Sequence, residues 1–454
     1  MPRETITTKH SPESWGEEIE KYKKGEKVDI YARAGYPELI EREKKFAEMI
    51  GAPDTALFNS GMAAIHTAIE AENLRPGDLV LCGKDVYSQT KKLYADLKKR
   101  GIKIEMIDSS DMQAIEKEIK EKNPRLIILE SVANVKELQV CDIKNLVKFS
   151  DEANRKYQEE LNSAELLRKF FHKTPYENLP NDFKERLLEN IKEFRGGGNP
   201  FVFRDSVKSL EEATGLERKQ SIREISKMVK YITRNSREKL SLIIDNTLAS
   251  PILYNPLKDT KSVNSEAVIV ESGTKHYQEG KDKITLGIAY SNDNNKINAI
   301  KEKRAELGTY LQPHDEREIP EKITEIMPDI IKRHAENALE LAKTLSKFKH
   351  VTEVSHPNLP THKQNDLVKE IAPEGLVTLF YVKVPDAVGF VKKVKELGGE
   401  KIGVGGSFGH EKTWLFNIGD EVRIAAGAET EAEFKEVIEI FKKALEEYNG
   451  FKKI

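Results

Sequence analysis

Two polar side chains stand at the ends of two apolar runs in the middle of the chain, and their types suit chemistry. Residues 241–244 (Ser-Leu-Ile-Ile) break off at Asp245-Asn246-Thr247, and residues 267–270 (Ala-Val-Ile-Val) break off at Glu271-Ser272-Gly273-Thr274-Lys275-His276. Short apolar runs that end so abruptly predict parallel strands leaving a core. A carboxylate and an amine just past the C-terminal ends of neighbouring strands lie where open α/β sheets place their ligand chemistry. Taken singly, Asp245 also reads as the cap of the next turn and Lys275 as a solvated amine.

The pair suits pyridoxal 5'-phosphate, which needs an amine to hold its aldehyde carbon and an anion beside its pyridine nitrogen. Lys275 would supply the first. Asp245 would keep the ring nitrogen protonated, so that the ring accepts electrons from a bound amino acid. Ser272 and Thr274 add hydroxyls for a phosphate. A third sign lies upstream, where a strand over 55–58 turns through Asn59-Ser60-Gly61-Met62-Ala63-Ala64 straight into a helix. Small residues at that junction let backbone N–H groups approach an anion at the positive end of the helix; without Asp245 and Lys275, Ser60-Gly61-Met62 would be a plain N-cap. Tyr87, leaving a strand over 78–82, can lie face-on over a flat heteroaromatic ring. Tyr31 and Arg33, two apart on an extended segment, point the same way and suit a phosphate, or form a surface pair. Arg423, mid-strand among apolar residues, suits a bidentate clamp on a carboxylate, or half of a buried salt bridge.

The chain as a whole sets bounds on these readings. Its 454 residues are 33% charged with a formal net charge of only -2, which gives no basic excess for nucleic acid or an anionic membrane. Cys82 and Cys141 have no ligand spacing, so a reducing compartment is expected, with neither disulfide nor zinc. No apolar run reaches membrane-spanning length and the start lacks a signal-peptide core, so the expected location is cytoplasmic. The histidines are scattered; His314, His356 and His362 read as surface residues, and no metal is expected.

The elements that must position the site alternate as strands and helices. Strands are predicted over 55–58, 78–82, 103–107, 125–130, 241–244 and 267–270, with helices over 38–50, after 88 and over 111–122. That alternation predicts a mostly parallel sheet flanked by helices. Residues 150–238, rich in Lys, Arg and Glu with helical spacing at Leu161, Leu166, Leu167 and Phe170, read as a helical insert serving as a lid or an oligomer contact. Within it, Arg195-Gly196-Gly197-Gly198-Asn199-Pro200 reads as a bend, since no strand feeds it. Strands over 377–382 and 422–425 and helices over 323–348, 387–397 and 431–448 predict a smaller C-terminal α/β domain. The expected division is an N-terminal arm over 1–50, a large domain over 51–295 carrying the insert, and a small domain over 296–454.

Tyr31-x-Arg33, Ser60-Gly61-Met62-Ala63-Ala64, Tyr87, Glu130-Ser131 with Asn134, Asp245-Asn246-Thr247, Ser272-x-Thr274-Lys275 and Arg423 follow one another in an order that resembles the transsulfuration, or Cys/Met metabolism, family of pyridoxal-phosphate enzymes. The family's Ser-Leu-Gly-Gly appears as Gly405-Gly406-Ser407-Phe408-Gly409, and its Ser-Pro-x-Asn-Pro as Ser131-Val132-Ala133-Asn134-Val135. The resemblance implies the fold type I, aminotransferase-like architecture. It also implies that Lys275 holds the cofactor, that Asp245 pairs with its ring nitrogen, that Tyr87 stacks on the ring and that Asn134 contacts the ring oxygen. Ser60, Gly61, Met62, Ser272 and Thr274 would hold the phosphate. Tyr31 and Arg33 would reach the phosphate of a neighbouring subunit, making a dimer obligatory; such proteins are usually tetramers of two dimers. Arg423 and Ser407 would frame the substrate α-carboxylate. The implied activity is γ-replacement or γ-elimination on a sulfur amino acid or an activated homoserine, as in cystathionine γ-synthase and γ-lyase. Two other readings stay open: a lyase or transferase on a different amino acid, and a non-catalytic scaffold that binds a partner through the insert. Retention of both Lys275 and Asp245 favours a catalyst.

Overall fold

The inner strands of one sheet are short, nearly continuous apolar runs that are stable only with both faces covered, while the edge strand over 103–107 is mixed in character and largely exposed. The computed structural model describes residues 33, 35–160, 179, 181–184, 186–187, 190, 200–235, 239–262, 266–277, 279–280 and 283–447. The strands are β1 (Asp54–Phe58), β2 (Leu79–Gly83), β3 (Lys103–Ile107), β4 (Leu126–Glu130), β5 (Ser241–Asp245), β6 (Glu266–Ser272) and β7 (Gly287–Ser291). Their order across the sheet is β1-β7-β6-β5-β4-β2-β3. From β6 to β3 every pairing is parallel. β7 runs antiparallel to both β6 and β1. The mostly parallel sheet read from the sequence is therefore present, and β5 and β6 are the neighbours it required.

Helices follow the strands in the expected places: α1 (Pro37–Ile50), α2 (Gly61–Ala71), α3 (Ser88–Lys99) and α4 (Met112–Lys122). The start of α2 is fixed by Ser60, whose Oγ accepts from the Ala63 amide at 3.1 Å, and α4 begins likewise at Asp111, whose carboxylate accepts from the Ala114 amide at 2.9 Å. α2 buries Ala64, Ile65, Ala68 and Ile69 against Phe58, Val268, Val270 and Ala289. At roughly 1.5–3 kcal/mol for each large side chain removed from water, that face seats the first turn of α2 firmly at the sheet's C-terminal edge.

A second sheet has the order β10-β11-β12-β9-β8, from β8 (Glu353–Ser355), β9 (Leu379–Lys383), β10 (Gly403–Val404), β11 (Trp414–Ile418) and β12 (Glu421–Ala425). Helices Ile323–Leu345, Ala387–Gly398 and Glu431–Glu447 accompany it, and Phe380, Val382, Phe390, Ile424, Phe434 and Phe441 form its core. One expectation fails here. His356 is fully buried rather than at the surface, tilted against Phe380 with ring centroids 6.3 Å apart, and burial pushes its pKa down to about 3. A neutral imidazole is apolar enough to fill such a position once its Nδ1 accepts the Asn358 amide at 3.1 Å. His314 is exposed, and His362 is half-buried with Nε2 2.9 Å from the Glu137 carbonyl.

The chain divides into two compact units, 1–149 with 241–454, and 150–240. In the second, helices Pro200–Thr214 and Arg218–Asn235 pack on each other and Leu210, Ile225 and Met228 are buried. The Asn154 side chain closes this unit, donating to the Leu240 carbonyl at 3.1 Å and accepting its amide at 2.8 Å. Leu161, Leu166, Leu167 and Phe170 and the Arg195–Asn199 bend lie outside the described residues. Among the described residues no helix is long and apolar enough to cross a membrane.

Candidate functional site

Asp245 ends β5 and Glu130 ends β4, and the two are register partners on adjacent parallel strands. Asp245 is partly buried, and its Oδ1 accepts from the Thr247 amide at 2.9 Å and the Thr247 hydroxyl at 2.5 Å. The same Thr247 oxygen accepts the Ser272 amide at 2.9 Å, so one hydroxyl ties the exit of β5 to the exit of β6. Burial raises the Asp245 carboxyl above its ordinary range, against the pull of the Thr247 bonds. Burial, then the charge of Asp245, pushes Glu130 up to about 8. Glu271, 1% exposed and with neither oxygen hydrogen-bonded among the described residues, is raised well above the carboxylate range by the same two causes. Three carboxyls at the ends of three adjacent strands disfavour ionisation, Asp245 acting on each of the other two, and a cation beside Asp245 relieves that.

The first turn of α2 meets β6 at backbone distance. A Cβ at Gly61 would stand 2.7 Å from the Ser272 Cβ and 2.9 Å from its Cα, so only glycine lets the helix start so close. With Ser60 Oγ on the Ala63 amide, the Gly61 and Met62 amides make no hydrogen bond among the described residues. These two donors and the Ser272 hydroxyl form an anion-sized cradle at the positive end of the helix. Thr274 is engaged differently, its hydroxyl accepting the Leu286 amide at 2.8 Å and donating to the Leu286 carbonyl at 3.3 Å. Arg33 is exposed, and Tyr31 lies outside the described residues.

Lys275 reaches the second sheet. Its Nζ donates to Ser407 Oγ at 2.9 Å and lies 5.7 Å from the centre of the Phe408 ring. The Arg423 guanidinium lies 5.5 Å from that ring and 6.0 Å from the Phe416 ring, its cross-strand neighbour on β11. Arg423 is buried. It donates to the Gly406 carbonyl, but its Nε has no partner and no carboxylate pairs with it among the described residues. The buried salt bridge that the sequence left open is therefore not formed there, and a guanidinium fork remains for a ligand. Burial lowers its pKa, the opposite of what an acidic partner would do. Behind it, His334 Nδ1 contacts the Ala426 carbonyl at 2.6 Å and Asn337 donates to the Gly427 and Glu429 carbonyls at 3.0 and 3.1 Å, which fixes the turn after β12.

Tyr87 opens α3 with its side chain 46% exposed, and Asn134 sits in the turn beyond β4. Glu130 joins them, accepting the Tyr87 amide on one oxygen at 2.6 Å and the Asn134 amide on the other at 2.8 Å. Sequence reasoning did not assign Glu130, Thr247 or Phe408 to the site. Glu130 carried a usable signal, since it ends an apolar run as Asp245 does.

An amine, a strand-end carboxylate, a helix-start cradle and an unpaired buried guanidinium fit pyridoxal phosphate and an amino acid. Residues 8–157 and 214–402 match the family described as Cys/Met metabolism PLP-dependent enzyme. Among curated proteins, the cystathionine beta-lyase of Neurospora crassa is 23% identical over 338 residues, 74% of this chain and 53% of that protein. The cystathionine gamma-synthase of Escherichia coli is 34% identical over 123 residues, 27% of this chain and 31% of that one. The chain thus spans about half, or less, of the lengths of these two relatives. Two solved structures share the fold. MetB from Corynebacterium glutamicum has a TM-score of 0.66 at 19% identity, over 97% of this chain and 91% of that one. Cystathionine gamma synthase from Xanthomonas oryzae pv. oryzae, solved with aminoacrylate and cysteine, has a TM-score of 0.65 at 16% identity, over 98% and 93%.

Proposed function

Because the chain belongs to the Cys/Met metabolism family of PLP-dependent enzymes, we propose that it is a C–S lyase or transferase that acts on a sulfur amino acid or an activated homoserine by γ-elimination or γ-replacement. The observation that carries this reading is the placement of Lys275 and the carboxylate-free Arg423 on one aromatic ring, Phe408. That spacing suits an amino acid whose α-carboxylate lies on the guanidinium and whose α carbon lies near the amine.

Pyridoxal phosphate, when bound, supplies the electron sink for a carbanion at the substrate α carbon. Gly61, Met62 and Ser272, with Ser60 setting the helix start, hold its phosphate. Asp245 would accept the ring N–H, and Thr247 keeps that carboxylate in place. Arg423 binds the α-carboxylate between two phenyl rings that exclude water. Lys275, oriented by Ser407, takes the proton from the α carbon and moves protons at the β carbon. Tyr87 would meet the ring and supply a proton to the departing γ substituent, and Asn134 would meet the ring oxygen. Tyr31 and Arg33 complete the phosphate site of a neighbouring subunit, so the working form is a homodimer or homotetramer in the cytoplasm. Residues 1–50 act as the arm of that assembly, 51–295 as the cofactor domain with its insert at 150–238, and 296–454 as the small domain.

The test is the visible absorbance of protein loaded with pyridoxal phosphate, beside Lys275→Ala, before and after O-acetylhomoserine, cystathionine or methionine. The expected result is a lysine-dependent band that shifts with one of these. A band that survives Lys275→Ala removes the cofactor assignment, and a lysine-dependent band that no sulfur or homoserine substrate shifts removes the substrate class.

A further inference from the structure

We propose that Glu130 is the positioning residue of the ring site: its two carboxylate oxygens, one on the Tyr87 amide and one on the Asn134 amide, hold those two residues in fixed relation to each other. The proposal rests on the function proposed above, in that it takes Tyr87 and Asn134 to be the residues that meet the cofactor ring.

Its basis is geometric. Tyr87 and Asn134 lie on separate segments, one opening the helix after β2 and one in the turn after β4, and β2 and β4 are adjacent strands. Neither side chain makes a hydrogen bond among the described residues, and nearly half of the Tyr87 surface is exposed. Both are instead held by the backbone, through bonds of 2.6 and 2.8 Å to one 6%-exposed carboxylate. The Asn134 turn has its own internal bonds, Ala133 amide to Gln139 carbonyl at 2.8 Å and Val135 amide to Ala133 carbonyl at 2.9 Å. The Tyr87 carbonyl is used to start α3, accepting the Thr90 amide at 3.0 Å. Glu130 is what bridges the two segments.

Only a carboxylate serves this geometry. Two amide donors approach two different oxygens, and an uncharged amide side chain offers one acceptor oxygen and one NH2 group. Gln at 130 would thus turn a donor towards either Tyr87 or Asn134 and release that segment. Burial and the Asp245 charge outweigh the two amide bonds and push Glu130 up to about 8, and a cation beside Asp245 favours the ionised form that accepts on both oxygens. Among the described residues both side chains are free of hydrogen bonds, so Glu130 acts on them through where their backbones stand, apart from its charge coupling to Asp245.

The experiment is equilibrium dialysis of pyridoxal phosphate against the full-length protein, comparing wild type, Glu130→Gln, Glu130→Asp, the Tyr87→Ala, Asn134→Ala double variant, and the triple variant with Glu130→Gln. Loss of one charge-assisted bond predicts cofactor binding weakened about tenfold in Glu130→Gln. Glu130→Asp, which keeps both acceptors on a shorter stem, should lie between Gln and wild type. The decisive expectation is non-additivity: adding Glu130→Gln to the double variant should weaken binding less than twofold, because nothing is left to position. A further full tenfold loss in the triple variant would mean that Glu130 acts on the fold or on charge alone, and would overturn the proposal. A double variant that binds like wild type would also overturn it. If Lys275→Ala still abolishes the visible absorbance in that case, the proposed function stands without it; if wild type shows no lysine-dependent absorbance, both fall.

Discussion

Replacing Glu130 by Gln should change how the cofactor-free protein responds to pH, and the size of the change follows from the site. The fold moves this carboxyl from 4.5 to about 8, through burial first and the Asp245 charge second. Between those values the folded protein holds a proton that the unfolded chain has released, so stability falls as pH rises and the full cost is reached above about 8. One such group costs about 1.4 kcal/mol per pH unit. From pH 5 to pH 8 that is roughly 4 kcal/mol. Asp245 and Glu271 are raised in the same direction and remain in the variant, where loss of the Glu130 charge eases the ionisation of Asp245 and adds to the difference in the same sense. Gln loses one acceptor, a nearly pH-independent cost of about 1–3 kcal/mol. The variant should therefore unfold at lower temperature than wild type at pH 5, and the two should converge or cross by pH 8. Thermal midpoints of both apo proteins at half-unit steps from pH 5 to pH 8.5 are the assay. Parallel curves over that range would refute the reasoning, since they would mean that Glu130 has the same proton affinity folded and unfolded.

Gly409 has φ +81 and a Cβ there would stand 1.4 Å from the Lys275 carbonyl, so Gly409→Ala must displace the Lys275 peptide; pyridoxal phosphate should bind at least tenfold more weakly than wild type, and an unchanged absorbance titration would contradict this. Arg423→Leu removes a buried guanidinium that no carboxylate compensates among the described residues. It should leave the thermal midpoint equal or higher while raising the amino-acid concentration needed to shift the cofactor spectrum by about 10- to 100-fold; an unchanged half-saturation would remove Arg423 from substrate binding.

Much of this was legible in the sequence because strands buried on both faces must be apolar along their whole length. The runs ending at Glu130 and Asp245 therefore appear where β4 and β5 end. In the sequence Ser60 reads as a phosphate ligand with a plain N-cap as the alternative, and its hydroxyl does cap α2. The second sheet was only half visible. β9 is a continuous apolar run and β12 alternates, whereas β8 and β10 have three and two residues and no period to detect. His356 was misread because its burial depends on Phe380, which lies on a strand that no local rule links to it.

The support of the site was hidden for a different reason. Residues that face a ligand can be recognised by type: an amine, a carboxylate, small residues at a helix start. The residues behind them act on backbone groups, which every residue has. Glu130 holds amides 43 residues before it and four after it, and Thr247 holds an amide 25 residues on; neither distance leaves a sequence signature. Yet this is what leaves the Tyr87 and Asn134 side chains without hydrogen-bond partners among the described residues. A side chain fixed by its own hydrogen bonds has little left for a ligand, whereas one fixed by its backbone arrives oriented with its polar atoms still available. On that physical ground the buried carboxylate beside Asp245 belongs to the site as much as Asp245 does, and a substitution there should be felt first in how the cofactor is held.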